Sequence, residues 1–213
     1  MVRTLLSHGV APDMRMSGGG TALILASALG LPRLAEALLE AGADVNTADE
    51  QGTTPLLASA QAGFAGTADT ASVRELMNLL LRGGAKIDAR NQQGQDAVLV
   101  LLGARAQPGT PCDGEHLAAL VKVLLQHDAA VDAQDQRGVT PLHACAMHGL
   151  LGCARALKAH GASLEQTDLL GRTAGEVAAM LGFVDVASEL GSDRAQLPSV
   201  RQTLRRPARA QDS

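Results

Sequence analysis

Apolar and polar positions along the chain recur in two alternating phrases. The first runs from glycine and a polar residue into an apolar stretch: "GGTALILAS" from Gly19, "GTTPLLASA" from Gly52, "GQDAVLVLL" from Gly94, "GVTPLHACA" from Gly138 and "GRTAGEVAA" from Gly171. The second contains leucine and ends in a turn: "LLSHGVAPD" from Leu5, "LLEAGADVN" from Leu38, "LLRGGAKID" from Leu80, "LLQHDAAVD" from Leu124 and "LKAHGASLE" from Leu157. Apolar runs of this length with polar breaks predict pairs of short helices.

Each first phrase carries a residue suited to begin a helix, namely Thr21, Thr54, Asp96, Thr140 and Thr173. Such side chains accept a backbone N–H that the first helical turn leaves unpaired. Pro55 and Pro141 follow at the first helical position, where proline's missing N–H costs nothing. Thr173 and Glu176 have the spacing of a capping box. Glycine in the second phrase suits the left-handed backbone conformation at which a helix ends. Asp128 replaces glycine at one such position, at a cost of about 1 kcal/mol.

The spacing of the phrases is regular. Twelve residues always separate the helix-stopping residue from the next capping residue, and the period is 33 for Thr21–Thr54 and Thr140–Thr173. With Thr140-Pro141-Leu142-His143, this pattern resembles the ankyrin repeat over residues 2–191. The resemblance implies an all-α ankyrin-repeat solenoid of stacked helix-turn-helix units with β-hairpin fingers. A partial repeat would cover residues 1–16, and repeats would start near residues 17, 50, 92, 136 and 169. It also implies that His143 bonds the backbone of a neighbouring loop.

The period lengthens to 42 and 44 residues between Thr54, Asp96 and Thr140, so two neighbouring repeats carry insertions. These fall around residues 64–72 and 104–114, and Ser72 with Glu75 predicts a capping box that restarts the second helix. Lengthening a surface loop costs only about 0.6 kcal/mol per doubling, so neutral insertions are one interpretation. The other is that the two lie side by side and form one functional protrusion.

His143, Cys145 and His148 raise the question of a metal site, because zinc prefers imidazole and thiolate ligands. In a helix only residues three or four apart share a face, so only Cys145 and His148 converge. Cys145 also aligns with Ala26, Ser59 and Ala178, which predicts a small buried position. We therefore predict no metal site. The chain contains no GxxxxGK, GxGxxG, HExxH or GxSxG pattern, and we predict no catalytic site and no cofactor.

Composition and charge narrow the class of partner and the compartment. Net charge is −4, with +3 from residue 192 onward and −7 before it, which argues against nucleic acid. No apolar run is long enough to cross a membrane. The absence of a signal-like start and the three cysteines without a paired framework favour a cytoplasmic location. Arginine outnumbers lysine fifteen to three, which favours a bacterial source. Residues 192–213 are predicted to form a disordered basic tail.

Resemblance to ankyrin proteins implies a non-enzymatic module that binds a protein or peptide on its concave face. The alternatives are a regulatory or targeting portion of a larger enzyme, or a bacterial effector that binds host proteins. We predict that Met147, Leu169, Leu170 and Met180 grip the partner, since grouped exposed apolar side chains mark contact sites. Arg137 is the candidate for a bidentate carboxylate contact. The other predicted contact residues are Glu50, Gln51, Gln61, Gln92, Gln93, Gln95, Gln136, His148 and Arg172.

Overall fold

The computed structural model describes residues 11–191, which form ten helices in five successive pairs. The pairs are α1 Ala22–Ala28 and α2 Pro32–Glu40, α3 Pro55–Ala65 and α4 Thr70–Arg82, α5 Ala97–Leu101 and α6 Gly114–Leu125, α7 Pro141–His148 and α8 Leu151–Ala159, and α9 Ala174–Leu181 and α10 Val184–Glu189. The predicted all-α solenoid is confirmed, and the pairs are numbered below as the first to fifth repeats. The basic tail and most of the predicted partial repeat lie outside the described residues.

The first helix of each repeat begins at the capping residue that the sequence predicts. Thr21, Thr54, Asp96, Thr140 and Thr173 accept from the backbone N–H groups of Ile24, Leu57, Leu99, His143 and Glu176. The predicted capping box of Thr173 and Glu176 is present, and Thr140 forms a second one with His143. Asp128 has the left-handed backbone (φ 60°) expected of the residue that stops α6.

The start of α4 differs from the prediction. The helix begins at Thr70, two residues before the predicted Ser72, because Asp69 is the residue that caps it. The Asp69 carboxylate accepts from the backbone N–H of Ser72 (3.0 Å) and from its hydroxyl (2.7 Å). Ser72 is therefore a partner of the cap rather than the cap itself.

The repeats stack through like helices. α1 packs on α3, α3 on α5 and α7 on α9, while the second helices pack in the same order along the other layer. Side chains such as Leu76, Leu99, Leu120 and Leu157 are fully buried between them. A single helix pair has no such core, so burial of roughly 1.5–3 kcal/mol for each large side chain depends on the neighbouring repeats.

The links between repeats form short fingers. Each one turns at an Asp or Asn whose Oδ1 accepts two backbone N–H groups, as Asp135 does from Arg137 (2.8 Å) and Val139 (3.1 Å). Asp49, Asn91 and Asp168 make the same pair of bonds. Thr167 and Thr173 form the one isolated antiparallel bridge between residues 11 and 191, so the predicted hairpins are reduced to tight turns.

Candidate functional site

The predicted contact residues lie on the fingers and first helices of the repeats. The fingertips pair Ser17 with Gly18, Glu50 with Gln51, Gln92 with Gln93, Gln136 with Arg137, and Leu169 with Leu170. We call these ten residues the fingertip row. Each tip is hydrogen-bonded to the one before it, as in Gln92 N to Gln51 O (2.9 Å) and Leu169 N to Arg137 O (3.0 Å). The backbone of the row is therefore a fixed platform, and its side chains decide what it can bind.

In the middle of the row, two glutamine side chains are bonded within the chain. Gln92 Nε2 donates to the carbonyl of Glu50 (2.6 Å), and Gln136 Nε2 donates to the carbonyl of Gln92 (2.7 Å). Each amide thus joins its own fingertip to the preceding one. Both were predicted as contact residues for a partner, but their amides bond neighbouring fingertips of the same chain.

Gln95 is buried, contrary to its prediction as a contact residue. Its side-chain oxygen accepts from Asn91 Nδ2 at 3.2 Å, and its backbone N–H donates to Asn91 Oδ1 at 3.0 Å. The side chain closes the turn of its own finger, and a partner on the surface would not reach it.

Arg137 is paired within the chain instead of lying open for a partner's carboxylate. Its Nε and Nη2 donate to Asp135 Oδ2 at 3.0 and 2.8 Å, and Nη2 also donates to the carbonyl of Ala104. Arg172 repeats the arrangement on Asp168, at 2.9 and 2.6 Å. Burial raises the pKa of Asp168, but hydrogen bonds from Arg172 and from backbone N–H groups outweigh it and leave that pKa below its usual value. Both arginines brace their own fingers.

His148, another predicted contact residue, is also buried. Its Nε2 donates to the carbonyl of Gly103 (3.0 Å), and its ring lies 5.5 Å from that of Phe64. Nδ1 is buried without a hydrogen-bond partner among residues 11–191. Burial lowers the pKa of His148, because a charged imidazole would lose its hydration there.

One contact joins the neighbourhoods of the two insertions. His116, in α6 just after the second insertion, bonds the Thr70 hydroxyl within the first (2.5 Å) and the Gly63 carbonyl just before it (3.0 Å). The second insertion also packs against the body, because Ala104 is buried and Gly109 N donates to the carbonyl of Met147 (2.8 Å). Its exposed residues include Arg105, Gln107 and Pro108.

Several large apolar side chains of the fifth repeat are exposed. Leu169 is 76% exposed, Leu170 74% and Met180 63%. Leu181, next to Met180, is 44% exposed, and the sequence reasoning missed it. Its alignment with His148, a residue that was selected, was the signal that pointed to it. Met147, at the position of Met180 one repeat earlier, is half-buried. We call Met147, Leu169, Leu170, Met180 and Leu181 the apolar end.

Polar residues of the predicted set remain accessible on other repeats. Glu50, Gln51 and Gln61 are exposed, and Gln93 is half-buried. They lie on the second and third repeats, away from the apolar end. Their chemistry is limited to hydrogen bonding and one negative charge.

His143 and Cys145 contribute to the contacts within and between the repeats. Among residues 11–191, no three His, Cys, Asp or Glu side chains lie close enough together to hold a metal ion. His143 donates from Nε2 to the carbonyl of Arg172 (2.9 Å), the bond to a neighbouring loop that the resemblance implied. Cys145 is buried at its predicted position, and burial raises the pKa of its thiol well above the usual value. No helix of the described chain has the length and apolarity needed to span a membrane.

Two comparisons place these features among known proteins. A family model described as ankyrin repeats (3 copies) matches residues 1–91 and 112–199. The unmatched stretch between them contains α5 and most of the second insertion. The chain is 29% identical over 186 residues to a Caenorhabditis elegans protein named "Ankyrin repeat and KH domain-containing protein mask-1". That similarity covers 87% of this chain but only 6% of the relative.

Proposed function

The chain belongs to the ankyrin repeat family, and from that premise we propose that it binds a protein partner through the apolar end, on the concave face of the solenoid. Ankyrin repeats are in general protein-interaction modules. The observation that carries the proposal is the exposure of Leu169, Leu170, Met180 and Leu181 on one repeat. Large apolar side chains grouped on a surface mark contact sites, because water leaves them when a partner covers them.

A protein is the ligand that suits this surface. Interface energy is concentrated in a few well-desolvated side chains surrounded by contacts that contribute little. The apolar end supplies the first kind, and the exposed Gln51, Gln61 and Glu50 supply hydrogen-bonding contacts of the second kind. The proposal gives the chain no catalytic role and no cofactor, since the sequence contains no GxxxxGK, GxGxxG, HExxH or GxSxG pattern.

The internal bonds of the middle repeats restrict where the partner gains affinity. A partner carboxylate at Arg137 would compete with Asp135, which already accepts two bonds from the guanidinium. We therefore assign Arg137 and Arg172 to support of the fingers, with contact to the partner only through their exposed edges. Gln92 and Gln136 join them in that supporting role.

The experiment is capture of partners from a cell lysate by two baits, the full chain and its variant M147A/L169S/L170S. We expect a protein retained by the first bait and depleted on the second, measured by quantitative mass spectrometry. Both baits should give the same circular dichroism spectrum, because Leu169 and Leu170 contribute little to the core. A third bait with Arg105, Gln107 and Pro108 changed to alanine is the matched control. Loss on that bait alone would place the site at the insertions and refute the proposal.

Two wider contexts use the same surface. One is a regulatory or targeting portion of a larger enzyme, and the other is a bacterial effector that binds host proteins. Both make the apolar end the contact and differ only in which lysate contains the partner. Capture from lysates of different origin therefore separates them.

A further inference from the structure

Two arginine side chains adjoin the leucines of the apolar end. The backbone carbonyl of Arg137, in the finger of the fourth repeat, accepts from the Leu169 N–H at 3.0 Å. Arg172 lies in the same turn as Leu170, and their backbone N–H groups donate to Asp168 Oδ1 at 3.0 and 2.9 Å. The exposed leucine pair thus adjoins one arginine of the fourth repeat and one of the fifth.

In both pairs of arginine and aspartate, the positive group is the one at the surface. The Arg137 side chain is 45% exposed, while that of Asp135 is fully buried. The Arg172 side chain is 37% exposed, against 5% for Asp168. Each carboxylate lies beneath its guanidinium group, so a molecule that approaches the fingertips meets the positive charge first. The surface beside the leucines is therefore positive.

Each guanidinium group also has one nitrogen that the chain does not use. Nε and Nη2 donate to the aspartate in both arginines, and Nη2 of Arg137 also donates to the Ala104 carbonyl. Neither Nη1 donates a hydrogen bond to a group in residues 11–191. Because Nη1 carries two N–H groups, each arginine can bind a further carboxylate without releasing its aspartate. The bonds already made fix the side chain, so such binding costs little conformational entropy.

The charge along the fingertip row changes sign from one end to the other. Glu50, on the second repeat, is exposed, and the third repeat has only glutamines at its tip. Arg137 is the charged fingertip of the fourth repeat, and Arg172 lies beside the tip of the fifth. Glu176, at the start of α9, is also exposed, but its Oε2 already accepts from the N–H and hydroxyl of the capping residue at 2.8 and 3.2 Å. The apolar end is therefore suited to a partner of negative charge.

We infer that the apolar end binds an acidic peptide segment of its partner, in which large apolar side chains pack on Leu169 and Leu170 while Asp or Glu carboxylates accept from Nη1 of Arg137 and Arg172. The inference rests on the proposed function and adds the chemical class of the partner. Hydrogen bonds between ionised groups are stronger than those between neutral groups. Complementary charge also determines which of several apolar peptides binds, because a lysine placed at either guanidinium group would be repelled.

The test uses three fluorescein-labelled synthetic peptides that share a pair of adjacent leucines and differ only in the residues on either side. These flanking residues are glutamate, glutamine or lysine. Fluorescence anisotropy measures Kd for each peptide with the full chain. We expect the glutamate peptide to bind about 5-fold or more tightly than the glutamine peptide, and the lysine peptide to bind least. The preference should shrink as salt is added, because exposed charges are screened. Equal Kd values, or no binding by any peptide, would overturn the inference.

Two variants of the chain locate the preference. R137Q/R172Q should raise Kd for the glutamate peptide to that of the glutamine peptide and leave the glutamine peptide unchanged. R33Q/R74Q removes the same charge from exposed positions on α2 and α4 and is the matched control, which should keep the preference. Loss of the preference in both variants would attribute it to net charge. Equal weakening of the glutamate and glutamine peptides by R137Q/R172Q would show a structural role alone. Either result would overturn the inference.

A third variant separates this inference from the proposed function. L169S/L170S should weaken all three peptides, since each of them uses the leucine surface. If it does so while the charge of the peptide makes no difference, the apolar end is the binding site and only the acidic class of partner is wrong. If L169S/L170S changes no Kd, the proposed function fails at this surface, and the inference that rests on it fails as well.

Discussion

The second to fourth repeats and the fifth repeat present the same positions along the fingertip row, but their side chains differ in what they contact. In the middle of the row, Gln92, Gln136 and Arg137 bond backbone or carboxylate groups of the chain itself. At the end, Leu169 and Leu170 are about three-quarters exposed. Equivalent positions thus hold the stack together in one region and remain uncovered in the other.

The difference separates stability from recognition. A hydrogen bond within the chain contributes about 0.5–1.5 kcal/mol to folding, and a partner gains little by competing for it. An exposed leucine contributes almost nothing to folding, but burial of its apolar surface by a partner lowers the free energy of binding. Substitutions in the middle should therefore lower stability, while substitutions at the apolar end should lower binding.

The largest expected effect on stability comes from one glycine position compared in two repeats. Gly149 and Gly182 end α7 and α9 with left-handed backbones (φ 70° and 85°). A Cβ on Gly149 would lie 2.6 Å from the Phe183 ring of the next repeat, whereas one on Gly182 meets nothing within 4 Å. We expect Gly149→Ala to cost about 2–4 kcal/mol and Gly182→Ala about 1, measured by urea unfolding. Equal costs would mean that the fifth repeat does not pack as described.

A smaller effect is expected from the side-chain bonds between fingertips. Gln136→Ala removes the donor to the Gln92 carbonyl and should cost about 0.5–1.5 kcal/mol. L169S/L170S at the matched fingertip should change the unfolding free energy by less than about 0.5 kcal/mol. A larger loss for the leucine pair would show that it belongs to the core, which would contradict the comparison.

The fourth and fifth repeats should also differ in how pH affects stability. We expect this change in unfolding free energy to be smaller than those caused by the substitutions above. Burial lowers the pKa of His148 in the folded chain, so the unfolded chain takes up a proton at higher pH than the folded chain. Stability from this position is present at neutral pH and declines as pH falls through the ordinary histidine value of about 6.5. His148→Leu should flatten the melting temperature between pH 7.5 and 5.5.

Leu181→His is the matched control for that measurement, since it places a histidine at the equivalent exposed position. An exposed imidazole keeps nearly the same pKa in both states, and the added residue should leave the pH profile unchanged. A profile steepened by Leu181→His as much as it is flattened by His148→Leu would refute burial as the cause.

The order of the helices and most of their starting residues were predictable from the sequence, because they depend on local interactions. Thr54, Asp96 and Thr140 cap the helices that follow them, and their spacing determines the repeats. The start of α4 was not predictable from Ser72, because Asp69 caps the same turn from three residues earlier.

The hydrogen-bond partners of long side chains were less predictable, because these partners come close only when the repeats stack. Arg137 bonds Ala104, at the start of the second insertion of the preceding repeat, and His148 bonds Gly103, just before it. The path of that insertion over the body has no repeat pattern. Leu169 and Leu170 were predictable as exposed because they align with the fingertip positions of the other repeats.

The most direct test of the central claim is titration of a purified captured partner against two variants of the full chain. M147A/L169S/L170S removes part of the apolar end, and Q51A/Q61A/Q93A removes accessible amides of the second and third repeats. We expect Kd to rise about 30-fold or more for the first variant, equivalent to about 2 kcal/mol, and less than about 3-fold for the second. A large loss with the glutamine variant and unchanged binding by the apolar variant would contradict the claim that recognition lies at the apolar end.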